Sequence, residues 1–256
     1  MTRAGPRLRG RQPLLRIGTS GYVYPHWRKG VFYPAGLPAR DELTWYAARR
    51  STVELNNPFY RLPEPATVER WRDAVPDGFV FAVKASRLIT HSLRLRDCGE
   101  ALALVDDRVA LLGPKRGPVL FQLPPTFQRD IPTLERFLDR LDPAHRWVVE
   151  FRHPSWHLPE VYDSLGRHSV ALCIPVGGPV APDLVTTAPF VYLRFHAGGG
   201  PGGGFERPVL RAWAGRLRAA DRAGLDPYVY FNNDRGGHAV RDAAELAAAL
   251  GVGMAP

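Results

Sequence analysis

A glutamate, an arginine and a histidine crowd the end of one short apolar run, Val148-Val-Glu-Phe-Arg-His-Pro-Ser-Trp156. The two valines and the alternation predict a strand, and the Pro-Ser pair predicts the turn that ends it. Side chains alternate along a strand, so Val148, Glu150 and Arg152 share one face and Val149 and Phe151 the other. Burying a carboxylate and a guanidinium costs free energy unless each finds its partners. Charges kept together at a strand's carboxyl end favour a cleft mouth with acid–base or anion-binding chemistry. A structural ion pair beneath a loop is the rival reading.

The same alternation, applied to the other apolar runs, gathers more polar groups. Glu54 and Asn56 oppose Val53 and Leu55; Lys84 shares a face with Val80 and Ala82; Gln122 opposes Phe121 and Leu123. Arg194 and His196 oppose Phe195, and Asn232 opposes Phe231. If the bulky apolar sets pack on outer helices, nine polar residues point into one mouth: Glu54, Asn56, Lys84, Gln122, Glu150, Arg152, Arg194, His196 and Asn232. Taken singly, each is as well explained as a satisfied interior polar group. Their convergence is the argument, and it depends on the fold.

The elements that must position them alternate. Strands are expected at 14–18, 51–56, 79–84, 118–123, 146–152, 170–174, 190–196 and 228–232. Helices are expected at 39–50, 64–75, 99–112, 132–141, 159–167, 209–223 and 240–250, with only a loop after the sixth strand. Prolines in the first turns of several of these are compatible with helix starts. Eight strands alternating with helices predict a single α/β domain, a (β/α)8 TIM-barrel-like fold with a reduced or missing helix after strand six. A doubly wound open sheet is the alternative. In a barrel, ligands and chemistry sit at the carboxyl ends of the strands.

Composition narrows the class. The chain has 256 residues, 45% of them hydrophobic, enough for one sizeable core. Arg3, Arg7, Arg9 and Arg11 leave +5 of the +9 net charge on the rest, weak grounds for nucleic acid. Residues 1–12 are expected to form a disordered basic arm and 13–256 the barrel. Cys98 and Cys173 lack metal-ligand spacing, which argues against a disulfide framework and fits a reduced cytoplasm. No apolar run approaches the ~20 residues of a membrane span, and no secretory leader is evident.

Other signals carry less. Gly198, Gly200 and Gly203 fit G-x-G-x-x-G, but the run follows strand seven rather than opening a strand–turn–helix unit, so a lid is the better reading than a phosphate cradle. His153 and His157 are four apart, with Pro154 arguing against a helix that would present both to a metal. Asn233 and Asp234 read as capping or turn residues. Tyr22, Tyr24, Trp27 and Tyr60 could stack on a sugar or base, or pack under a long loop. No metal site is expected, and no cofactor is indicated.

A set of motifs resembles the YecE-like family, domain of unknown function seventy-two. They are Gly18-Thr-Ser-Gly21 with Trp27 and Phe32-Tyr-Pro34, Glu54-Leu-Asn56 with Phe59-Tyr60, Phe81 to Lys84 with Thr90-His91, and Phe121-Gln-Leu-Pro-Pro125. Glu150 to Trp156, Tyr192-Leu-Arg-Phe-His196 and Tyr230-Phe-Asn-Asn-Asp234 complete them. The resemblance spans about Arg16 to Leu250 and implies a TIM-barrel-like fold without naming a reaction. Tyr22 stands where the family usually has Trp, and Asn57-Pro58 replaces the usual small residue and Thr. Pro175 follows Ile174 where relatives often have Asp nearby, which removes a candidate acid.

The function expected is acid–base chemistry on a small polar or anionic, sugar-like or phosphorylated molecule. Glu54, Glu150, His196 and Lys84 are the catalytic candidates; Asn56, Gln122, Arg152, Arg194, Asn232 and Tyr60 the substrate-binding ones. A nucleic-acid binder or nuclease and a non-catalytic ligand sensor are the alternatives. The oligomeric state is not legible in the sequence.

Overall fold

The computed structural model describes residues 15–177 and 185–252. The basic arm expected at 1–12 lies outside them. Eight strands run in parallel: β1 Arg16–Thr19, β2 Thr52–Leu55, β3 Val80–Lys84, β4 Arg116–Gln122, β5 Trp147–Glu150, β6 Ala171–Val176, β7 Phe190–Phe195 and β8 Asp226–Phe231. Neighbouring strands follow chain order, and β1 pairs with β8, so the sheet curls into a barrel. The seam between β1 and β2 is held by a bridge between Ser20 and Glu54 and by Gly21 N–H donating to the Glu54 carbonyl at 2.8 Å. Gly18 makes that seam possible, since a Cβ there would sit 2.2 Å from the Thr52 carbonyl oxygen.

Among the described residues eight α-helices surround or cap the barrel: α1 Glu42–Ala47, α2 Asn57–Tyr60, α3 Pro65–Asp73, α4 Gly99–Ala110, α5 Ile131–Leu138, α6 Pro159–Arg167, α7 Arg207–Arg222 and α8 His238–Leu250. Their ends obey local chemistry. Asp130 accepts from the Thr133 amide to cap α5, Pro159 opens α6, and Gly251 ends α8 with a left-handed φ of 67°. On α7, Leu210, Ala214, Leu217 and Ala220 form the buried stripe that meets the sheet. Of the connection between β6 and β7, where the sequence suggests a reduced or missing helix, residues 178–184 lie outside the described residues, and 185–189 are not helical.

Two apolar layers result. Outward strand residues such as Val53, Phe81, Phe121, Val149 and Phe195 join the helices in the main core. Inward residues form a second cluster inside the barrel, where small Ala82, Ala171 and Cys173 face bulky Tyr192, Tyr228 and Tyr230. That large-against-small filling makes the interior a packed core and not a pore. At β2, β3, β4, β5, β7 and β8 the inner face ends in, or runs on into, the polar residues read from the alternation. No described helix is long and apolar enough to cross a membrane.

Candidate functional site

The floor of the mouth is an ion-pair network built from four strands and completed by Arg152, just beyond the end of β5. Arg194, from β7, is buried and donates to Glu54 at 2.8 Å and to Glu150 at 2.7 Å, joining β2 to β5 across the barrel. Glu54 also accepts from Ser20 Oγ and from Tyr192 OH, both at 2.6 Å. Arg152 Nε donates to Glu150 at 2.5 Å, and both arginines reach Gln122 Oε1, from 3.3 and 3.4 Å. Two carboxylates with no exposed surface are thus compensated by two guanidinium groups. Replacing either guanidinium would leave buried charge unmatched, the costly situation for such networks.

This pairing governs protonation. Burial alone would raise the Glu150 carboxyl, but Arg194, His196 and Arg152 together hold it well below the usual carboxylate range. Burial works against the charge on Arg194 too, and Glu54 and Glu150 outweigh it, raising its pKa further. Burial, with Glu150 adding to it, pushes the Cys173 thiol well up, and burial likewise raises the Tyr192 phenol. Both stay protonated and unreactive near neutrality.

Above the floor sits a rim that water reaches. Lys84, at the end of β3, places Nζ 3.7 Å from the centre of the Phe59 ring. It makes no hydrogen bond or ion pair among the described residues. Burial, then Arg194, lowers its pKa to about 8, against the partial opposition of Glu54 and Glu150. Phe59 comes from the short helix α2 and packs edge-on against His91 at 5.2 Å. His91 sits on a single π-turn, Leu88–Ser92, with Thr90 Oγ1 2.9 Å from its Nδ1. Burial lowers its pKa, and Lys84 adds to the effect. The same loop carries Arg94, Leu95 and Asp97 at positive φ, a local strain that recurs where a loop is shaped for function.

On the opposite side of the rim, Asn232 Nδ2 donates to His196 Nδ1 at 3.1 Å. The ring's Nε2 faces Glu150 Oε1 at 3.5 Å. Arg152 keeps 28% of its side chain exposed, and its Nη1 has no hydrogen-bond partner among the described residues, Nε and Nη2 being engaged below. Asn56 presents a buried Oδ1 without a partner among the described residues.

Eight of the ten residues singled out from sequence are thus linked around one mouth, and Asn56 follows the end of β2 with its Oδ1 buried. The tenth, Tyr60, does not point inward. It is 79% exposed and lines a shallow surface groove with Arg61, Leu62, Glu64 and Trp71. The reason is local: strand alternation stops at Leu55, and the turn of α2 carries Phe59 inward and Tyr60 out. Alternation missed Ser20, Phe59, His91 and Tyr192. Ser20 lies just past a strand end, Phe59 and His91 sit on helical turns, and Tyr192 reads as an ordinary inward aromatic.

The loops around the mouth are tied down. Trp27 Nε1 donates to Asp234 at 2.6 Å, and His26 lies 2.7 Å from the same carboxylate, joining the aromatic loop to the end of β8. Asn233 holds the glycine loop through the Gly203 carbonyl and holds α8 through Asp242. In that loop the amides of Gly198 and Gly200 donate to Gly203 and Gly204, so they are not open to a phosphate. His153 and His157 bond separately, to Ser155 and Tyr162. Among the described residues, no three His, Cys, Asp or Glu side chains cluster as a metal site would require.

The chain matches, over residues 16–255, the family described as protein of unknown function DUF72. It is 34% identical over 144 residues to the UPF0759 protein YecE of Escherichia coli strain K12, a match covering 56% of this chain. That match spans half the length of the relative. The UPF0759 protein YunF of Bacillus subtilis strain 168 is 25% identical over 261 residues, covering 88% of this chain and 93% of that protein. A crystal structure of a DUF72 family protein from Thermotoga maritima superposes with a TM-score of 0.79 and 25% identity, covering 93% of this chain and 99% of that one. One from Enterococcus faecalis gives 0.78 at 19% identity, covering 93% and 95%.

Proposed function

The chain belongs to the DUF72 family of proteins of unknown function, and we propose that its barrel mouth binds a small anionic, hydroxyl-bearing molecule and moves a proton on it. The carrying observation is Lys84, a lysine with pKa about 8 that has an aromatic ring and no carboxylate for a partner. A group poised there can take or give a proton near neutral pH. Charge supports an anion: Glu54 and Glu150 are matched by Arg194 and Arg152, so a protonated Lys84 leaves one positive charge without a counterion. In this reading the free Nη1 of Arg152 anchors the anion, while Asn56, Gln122 and Asn232 orient hydroxyls. His91 and His196 flank the bound molecule as proton carriers. Glu54 and Glu150 serve as the fixed field that holds Arg194 and Arg152. A cytoplasmic setting is supported by the two unpaired cysteines.

The test is a panel of sugar phosphates, sugar acids and hydroxy acids screened by thermal shift against wild type, Lys84→Met and Arg152→Gln. A specific ligand at a hundredfold excess over its Kd adds about 2.7 kcal/mol of stability, a rise of several degrees at this chain length. At least one anion should produce that rise in wild type and lose it in both variants, and mass spectrometry of the mixture should then show a product. A panel without any shift sinks the reading. A shift without product makes the mouth a sensor's and not an enzyme's.

A further inference from the structure

Lys84 carries more than proton transfer. Its amine stands at the end of β3 with every neighbouring carboxylate already engaged, over a ring that shields one side from water. The charged groups around it are Glu54 from β2, Glu150 and Arg152 from the end of β5, Arg194 from β7, and Arg87 and His91 from the loop after β3. None of them forms a hydrogen bond with the amine. The other two lysines are placed differently. Lys115 Nζ donates to the carbonyls of Arg72 and Val75, and Lys29 stands exposed on a turn far along the aromatic loop.

We propose that Lys84 is a nucleophile that forms an imine with a small aldehyde or keto acid bound in the mouth. The inference rests on the anion-binding reading above and names its substrate class: a carbonyl compound bearing a carboxylate or phosphate. The unprotonated Nζ adds to the carbonyl carbon, and the carbonyl oxygen takes up a proton. The carbinolamine then loses that oxygen as water, giving C=N, and no oxidant or reductant is needed. His91 and His196 lie on the two sides where those protons move, and Arg152 Nη1 is free for the anionic end. A protonated imine keeps the positive charge over the Phe59 ring, where Glu54 and Glu150 already favour a cation. The lowered pKa leaves the free amine about three-hundredfold more abundant at neutral pH than for an ordinary lysine.

With three lysines in the chain, reductive trapping is easily read. The full-length protein is incubated with pyruvate or with formaldehyde, plus cyanoborohydride, and Lys29, Lys84 and Lys115 are followed by peptide mass mapping. Expected is trapping of pyruvate on Lys84 at least roughly tenfold faster than on Lys29, falling when inorganic phosphate is added. Formaldehyde, which needs no anion site, should modify Lys84 first but with weaker protection by phosphate. Labelling of Lys84 no faster than Lys29 with both carbonyls overturns the imine. If pyruvate or phosphate still raises the melting temperature of wild type, the anion site survives that failure. If neither does, both readings fall together.

Discussion

Arg194 and Lys84 lie at the same end of the barrel, near the same two carboxylates, and their surroundings act on them in opposite directions. Arg194 is sealed under the mouth, donates to both Glu54 and Glu150, and is held charged. Lys84 stands one layer higher, touches a ring where Arg194 touches oxygen, and is pushed towards the neutral amine. The planar fork of a guanidinium can bridge two carboxylates and keeps its charge at any working pH. A lysine's point charge shifts readily when desolvated. So one cation organises the floor and leaves the other without a counterion. The contrast teaches that two carboxylates can take up one neighbouring cation by direct hydrogen bonds and leave a second, set over an aromatic ring, without one.

The largest effect should come from breaking the floor. Arg194→Met leaves two fully buried carboxylates short of their shared partner, and loss of about 3–5 kcal/mol is expected, read by urea unfolding. Arg194→Lys should recover little, since one ammonium cannot hold both carboxylates in place. A loss under about 1 kcal/mol would mean that the bridge is not what organises the mouth.

Lys84→Met should move stability the other way, by about 1–2 kcal/mol near pH 7, because it removes a partly buried charge and keeps the stem. The full shift would correspond to about 3 kcal/mol, reduced here by the water that reaches the rim. Lys84 binds its proton more weakly in the folded chain than in the unfolded one. Between about 8 and 10.5 the unfolded state therefore holds more protons, and this contribution makes wild type more stable as pH rises. The advantage of Lys84→Met should shrink through that window and vanish above it. Chemical denaturation at a series of pH values checks both sign and window, and a destabilised Lys84→Met would show a lysine paired after all.

How far this contrast could be foreseen depends on the type of backbone. On strands the period of two held, so Glu54, Lys84, Gln122, Glu150 and Arg194 were legible as one inward set before any coordinates. The barrel itself was legible because inward and outward faces both read as apolar below those residues, as a parallel sheet covered by helices requires. Partnership was not legible. Glu150 and Arg152 announce themselves as neighbours in sequence, yet the bridge to β2 comes from Arg194, which is 140 positions from Glu54. Nor could alternation reach into the helical turns that follow the strands. The turn of α2 swaps the expected Tyr60 for Phe59, and a π-turn brings in His91. The further partners of Glu54, Ser20 and Tyr192, come from segments far apart in the chain.

The smallest effect is the sharpest probe of what Phe59 does for Lys84. If the ring stabilises the ammonium through its π face, that attraction is about 0.5–2 kcal/mol in this half-buried setting. Phe59→Leu keeps apolar cover over Nζ and removes the π face, so the charged form loses that support and the pKa of Lys84 should fall further, by roughly half a unit to one and a half. Phe59→Ala should do the reverse: it lets water in, relieves the desolvation that is the main cause of the shift, and moves the pKa back up towards 10.5. The two variants thus separate cover from attraction, since cover alone predicts no change for leucine and a rise for alanine. Reductive methylation with labelled formaldehyde, followed by NMR titration of the dimethylated Lys84, reads both shifts directly. A pKa near 8 in both variants would remove Phe59 from the account and leave the placement of Lys84 to the floor charges alone.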